Sequence, residues 1–183
     1  MADALLLRRA RAALIVVALL ALGAMAFALY LQFVVGLEPC PLCSIQRVAL
    51  IAAGLVAAVG AFAARPGALL GASVLSALFV LAGAGVAAWH SWLLAFPPES
   101  LSCGRPFQWF HDEFPLAVWL PKLFRGDGDC LAVDWSLLGL TVPHWSLIVF
   151  IAALLVLVFG MRAVGLRTRG LGGPLVDPPA RKR

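Results

Sequence analysis

The sequence predicts an all-α membrane protein, a bundle of four transmembrane helices with a short CxxC loop and a long cysteine-bearing loop. Three observations predict it. Of its 183 residues, 63% are apolar and 13% charged, against roughly 45–50% and ~25% in soluble domains. A soluble domain of this length could not hide so many apolar side chains, so the solvent they demand is lipid. Four apolar stretches approach the ~20 residues that a helix needs to cross a ~30 Å hydrocarbon core. The charged residues, finally, sort to opposite sides of those stretches.

The spans are placed at 12–35, 45–64, 68–92 and 144–161, within one membrane domain covering 1–162. The first follows Arg8, Arg9 and Arg11 and carries no charge. Arginines, an apolar run and Ala24-Met25-Ala26 also resemble a secretory signal peptide. The run is about twice the length of a signal's apolar region, so an uncleaved helix is the better reading. The second span is Val48 to Ala64, extended by Ile45 to Arg47 as its first turn. Arg65-Pro66-Gly67 makes a tight turn into the third span, which ends near His90, Trp89 and Trp92. Pro143 is a natural helix start, which leaves Trp135 to Val142 outside the fourth span. Small residues crowd the spans, as in Ala52-Ala53-Gly54 and Ala82-Gly83-Ala84-Gly85, and suit close helix packing in lipid. The segment 163–183 is rich in Arg, Gly and Pro and is expected to be a disordered basic tail.

Arg8, Arg9, Arg11, Arg65, Arg162, Arg167, Arg169, Arg181, Lys182 and Arg183 fall on one side of the spans. Glu38, Glu99, Asp112, Glu113, Asp127, Asp129 and Asp134 fall on the other. The positive-inside rule therefore puts both termini in the cytoplasm and loops 36–44 and 97–143 outside it. The net charge of +5 is thus a topology signal at a lipid surface, and no nucleic-acid partner is expected.

All four cysteines lie in the two outward loops, where disulfides persist. Cys40-Pro41-Leu42-Cys43 opens the second span, and Cys103 and Cys130 belong to the long loop. Zinc is an option for a CxxC half-site, but a second close cysteine pair is missing, so no metal is expected. A structural bridge suits Cys103 and Cys130, where closing such a loop adds ~3–4 kcal/mol in the chain-entropy model. It suits Cys40 and Cys43 poorly, because linking residues so near each other restricts the unfolded chain little. Their spacing is instead that of thiol–disulfide exchange. Cys43 falls near a helix N-terminus, whose unpaired N–H groups and dipole favour a thiolate. Arg47 follows one turn along the same face. It either snorkels to headgroups or donates to something beside Cys43, and its register with that cysteine favours the second. A dithiol at the bilayer edge needs an electron acceptor. No GxGxxG, P-loop or haem-attachment motif is present, which leaves a lipid-soluble quinone as the acceptor at that depth.

From about Ala12 to Met161 the chain resembles the DsbB family of bacterial inner-membrane thiol oxidases. The resemblance rests on Pro39-Cys40-Pro41-Leu42-Cys43 followed by Gln46-Arg47-Val48-Ala49-Leu50, on His90, and on Cys103. It continues in Phe114-Pro115-Leu116, Trp119-Leu120-Pro121, Gly128-Asp129-Cys130, Trp135, Leu138-Gly139-Leu140 and Pro143-His144-Trp145. It implies a four-helix bundle in the inner membrane, periplasmic cysteine loops, and catalytic disulfides at Cys40–Cys43 and Cys103–Cys130. It further implies a periplasmic DsbA-like partner that attacks at Cys103, and an inter-loop bond between Cys130 and Cys40. Cys43 is then the thiolate facing ubiquinone or menaquinone, with Arg47 and His90 as quinone-site residues. The sequence departs from well-known members at Pro41 and at Gln46, where an acidic residue can occur.

The segment from Gln108 to Phe124 is expected to lie in the interface, apolar side down, as an anchor or a sliding support for the long loop. His90 has the alternative of an ordinary interfacial-belt residue, and His111 and His144 carry no assigned role. Two other functional readings stand beside thiol oxidation. One is a relative of vitamin K epoxide reductase, whose quinone-facing CxxC belongs near a late helix. The other is a membrane scaffold with two structural disulfides.

Overall fold

In hydrocarbon, every backbone N–H and C=O must be satisfied within the protein, and a lone apolar run does this only as a helix. A computed structural model describes residues 2–97, 126 and 128–171. It contains α1 (Ala2–Phe33), α2 (Pro41–Ala61), α3 (Pro66–Ala95), the strands β1 (Ser136–Leu137) and β2 (Leu140–Thr141), and α4 (Val142–Leu171). Among the described residues, four stretches are long and apolar enough to cross a membrane: Leu7–Phe33, Pro41–Ala61, Pro66–Ala95 and Val142–Arg162. The all-α, four-span class is the observed one.

The helix limits follow local chemistry. Helix α2 starts at Pro41, four residues earlier than the hydropathy suggests. Cys40 is its N-cap, in extended conformation, and Pro41 takes the first helical position, where a missing N–H costs nothing. Helix α3 likewise starts on Pro66. Helix α4 runs on through residues 163–171, a stretch that the composition assigned to a disordered tail. Its Arg, Ala and Leu are good helix formers, so the helix outlasts the apolar span. The segment 135–142, read as plain loop, holds a small antiparallel hairpin with Ser136 opposite Thr141 and Leu137 opposite Leu140. Its two turn residues, Leu138 and Gly139, have φ of 55° and 78°, the left-handed pair of a two-residue hairpin loop.

Helix α1 packs against α2 and α4, and α3 packs against the same two, while the diagonal pairs barely meet. The four helices thus form a ring in chain order. Each seam closes on a glycine. A methyl group added at Gly54 would strike Ala21, one at Gly60 Ala72, one at Gly83 the ring of Phe150, and one at Gly160 Ala13. Close backbone approach is how helices gain contact where the surrounding lipid is as apolar as they are. Leu14, Val17, Leu69, Val80, Phe150 and Leu157 fill the centre. Leu22, Val59, Phe62 and Phe159 are exposed, the outward apolar surface that lipid covers. One end of the ring is tied by Arg11 Nη2 donating to the Ala63 carbonyl at 3.0 Å. The other end carries a separate buried cluster of Cys40, Leu42, Leu93 and Cys130.

Candidate active site

The site is built on the first turn of α2. Cys40, as N-cap, accepts the Cys43 N–H on its sulfur at 3.3 Å, satisfying one of the orphan donors of a helix start. The Ser44 N–H meets the Cys40 carbonyl at 3.1 Å, the first turn of the helix proper. This local folding brings the two sulfurs together: Cys40 Sγ donates to Cys43 Sγ at 3.0 Å, and both are free thiols. That hydrogen bond, and then burial, pushes the Cys40 thiol well above its ordinary pKa. Cys40 therefore keeps the proton, and Cys43 is the acceptor of the pair.

Cys130 approaches from the far end of the long loop and is disulfide-bonded. Cys103 lies outside the described residues, as does the segment from Gln108 to Phe124. The sulfurs of Cys130 and Cys40 and a ring nitrogen of His90 all lie within 4.8 Å of one another. The group has the composition of a soft-metal site, yet the Cys130 sulfur is held in its disulfide and offers no thiolate. The CxxC and the long loop, distant in sequence, are thus adjacent in space.

His90 is 2% exposed, far too buried for a belt residue. Its Nε2 lies 3.0 Å from the Cys130 carbonyl oxygen. A carbonyl only accepts, so Nε2 bears a hydrogen. Gln46 Nε2 lies 3.5 Å from Nδ1. The departure at Gln46 therefore bears on the histidine: an amide donor faces the ring. Cys43 Sγ is 4.0 Å from Nδ1 and Cys40 Sγ 3.9 Å from Nε2.

Arg47, one turn beyond Cys43, is buried at the lipid edge rather than snorkelled out of it. Its Nη1 donates to Gln32 Oε1 at 2.6 Å and its Nη2 to the Ala28 carbonyl at 3.5 Å. Both acceptors belong to α1, so the guanidinium is aimed by a neighbouring helix. Nothing in the sequence around Gln32 announces this: a lone glutamine near a helix end is the only trace.

Cys43, Arg47 and His90 border one cavity of about 690 Å³. It extends between α1 and α4 past Leu20, Gly23, Phe27, Val149 and Phe150, a mainly apolar trough within the ~300–1,000 Å³ of small-molecule sites. Trp135, in the stretch before the hairpin, closes over it by packing edge-on against Phe27, with ring centroids 5.7 Å apart. The hairpin is fixed to α4 by the Trp145 indole N–H donating to the Leu137 carbonyl at 3.3 Å. His144 is held by Thr141 Oγ1 at 2.8 Å.

A dithiol and a disulfide side by side at one end of four membrane spans define a class: multi-pass membrane oxidoreductases of disulfide bond formation. Residues 10–160 match the family described as Disulfide bond formation protein DsbB. The chain belongs to the DsbB family. It is 43% identical over 173 residues to Disulfide bond formation protein B of Verminephrobacter eiseniae, covering 94% of each chain. The like-named protein of a Polaromonas species is 46% identical over 146 residues, which cover 80% of this chain and 87% of that one. That of Aromatoleum aromaticum is 43% identical over 150 residues, covering 81% and 87%.

Proposed function

We propose that the protein reoxidises a periplasmic DsbA-like thiol oxidant and delivers the electrons to a membrane quinone, ubiquinone or menaquinone, as a protein-dithiol:quinone oxidoreductase of the inner membrane. The observation that carries this reading is the shared cavity, an apolar trough ending on a thiol, a guanidinium and a histidine. An isoprenoid quinone needs those features: length in hydrocarbon, a donor toward a carbonyl, and a sulfur at the ring. The free thiols at Cys40 and Cys43 speak against a scaffold of two structural disulfides.

The proposed sequence of bonds runs as follows. A thiolate of the reduced partner attacks Cys103 of a Cys103–Cys130 disulfide, forming a mixed disulfide and releasing Cys130. Cys130 attacks Cys40 in the oxidised CxxC pair; the Cys40–Cys130 bond forms and Cys43 leaves as thiolate. Cys43 is the better leaving sulfur because it already serves as the hydrogen-bond acceptor of the pair. The partner's second thiolate then displaces Cys103 from the mixed disulfide, and the partner leaves oxidised. Cys103 attacks Cys130, restoring the Cys103–Cys130 bond and releasing Cys40; Cys40 and Cys43 rejoin as a disulfide, and their two electrons pass through Cys43, with two protons, to give the quinol. Arg47 donates toward the quinone carbonyl as negative charge develops there, and His90 borders the same space. Both termini are cytoplasmic in this arrangement, with the cysteine loops in the periplasm.

The test is quinone reduction by purified protein supplied with a reduced DsbA-like protein. Cys43→Ser is expected to abolish quinol formation while Cys103 still traps the partner as a mixed disulfide. Wild-type turnover in Cys43→Ser would overturn the assignment.

A further inference from the structure

Three residues of the long loop, Gly126, Gly128 and Cys130, approach the CxxC loop closely. The Gly128 N–H donates to the Pro39 carbonyl at 3.1 Å. A methyl group on Gly128 would stand 2.5 Å from the Glu38 carbonyl oxygen. One on Gly126 would stand 2.5 Å from the Pro41 nitrogen and 2.6 Å from the Cys40 carbonyl carbon. Backbone therefore lies on backbone, and only glycine permits it at either position. The third attachment is the His90 Nε2–H donating to the Cys130 carbonyl at 3.0 Å, with Gln46 at the opposite ring nitrogen. All three act on one short segment, and the sulfur at its end lies within 4.8 Å of Cys40 Sγ.

We infer that Gly126, Gly128 and His90 form a clasp that holds Cys130 against Cys40 and thereby sets the efficiency of exchange between the two cysteine pairs. The clasp rests on the reading of Cys130 as the sulfur that exchanges with Cys40. His90 is a positioning residue in it, acting through the carbonyl of Cys130. The chemistry is a single thiol–disulfide exchange. The Cys130 thiolate forms a bond to Cys40 Sγ, the Cys40–Cys43 bond breaks, and the electron pair departs on Cys43. The clasp supplies proximity, which in a well-held pair is worth many powers of ten over free thiols in solution. It uses backbone and an imidazole, so it remains in place whichever pair is oxidised.

The experiment isolates the two sulfurs. A full-length Cys43→Ser, Cys103→Ser protein in detergent micelles retains Cys40 and Cys130 alone. Equilibration with glutathione buffers, followed by alkylation of free thiols, gives the effective concentration of one sulfur toward the other. His90→Phe, which removes the donor, is expected to lower it about three- to tenfold, the worth of one buried hydrogen bond. His90→Gln, which can offer an amide N–H to the same carbonyl, is expected to restore it to within about twofold. Gly128→Ala and Gly126→Ala are expected to lower it at least as far as His90→Phe. They act on backbone and leave the ring itself unchanged, so they keep the test open if His90→Phe fails to fold. An unchanged value in His90→Phe or in both glycine variants overturns the clasp, as does an equal loss in His90→Gln and His90→Phe. Neither quinone nor partner protein enters this equilibrium. Failure of the clasp therefore leaves the quinone-reduction result untouched, and failure of quinone reduction leaves the measured effective concentration standing.

Discussion

At the residue scale, the site divides labour between groups that change bonds and groups that aim them. Cys40 and Cys43 are joined by the geometry of one helix turn, and that is why a four-residue motif discloses them: the contact is local in the chain. Arg47 is legible for the same reason, one turn further on. Gln32 is not, because its partnership crosses from α1 to α2. Its carbonyl oxygen accepts from the guanidinium at 2.6 Å, and hydrogen bonds to charged groups are worth about 1.5–3 kcal/mol. Gln32→Ala is therefore expected to raise the KM for quinone by roughly tenfold or more, at that same energy, with kcat little affected. Arg47→Ala is expected to weaken quinone use further. Steady-state kinetics over a quinone titration decides this, and an unaltered KM in Gln32→Ala would show that the guanidinium needs no help from α1. His90 is reached from the sequence only through the family resemblance. Its two nitrogens engage groups on a different helix and a different loop, 40 and more positions away, and no periodicity encodes such contacts.

At the scale of elements, the four helices were legible because lipid makes one demand on every span, and composition answers it directly. Their ends were less so. Hydropathy starts the second span at Ile45, with Arg47 in its first turn, whereas the cap and Pro41 start it at the cysteine motif itself. That difference matters, since it is what places Cys43 in the first turn. The hairpin between β1 and β2 escaped notice because two residues per strand are too few to alternate. Small residues announced close packing but not their partners. Gly83 meets the ring of Phe150, which is 1% exposed. Gly83→Val adds three carbon atoms where even a methyl group would strike the ring, with only a small helix-propensity gain to offset them, and overpacking of this kind costs about 1–3 kcal/mol. A lowered midpoint of thermal unfolding in detergent is the expected result. A midpoint equal to the wild type would mean that the α3–α4 seam does not depend on this contact.

For the whole molecule, the seam between α1 and α4 closes at Gly160 but stays open toward the cysteine end, where the trough lies. Two apolar surfaces, one outside and one in the trough, coexist because lipid and the proposed lipid-soluble acceptor ask for the same surface. That coincidence is invisible to composition, which sees only that apolar residues abound. Gly23 borders the trough, and a methyl group placed on it would meet nothing within 4 Å. Gly23→Phe therefore fills space without straining the fold. Quinone reduction is expected to fall at least tenfold, roughly the loss of 1.4 kcal/mol in binding, while thermal stability holds. Retained quinone turnover with a folded protein would place the acceptor elsewhere.

In the proposed cycle, the sulfur that caps α2 also changes partners. While Cys40 receives the Cys43 amide, the first turn is closed; once that sulfur swings toward Cys130, the amide is left to solvent or to a new acceptor. Each catalytic cycle would thus unfasten and refasten the beginning of a helix, and the protection of a single backbone proton against deuterium would record the oxidation state of the enzyme.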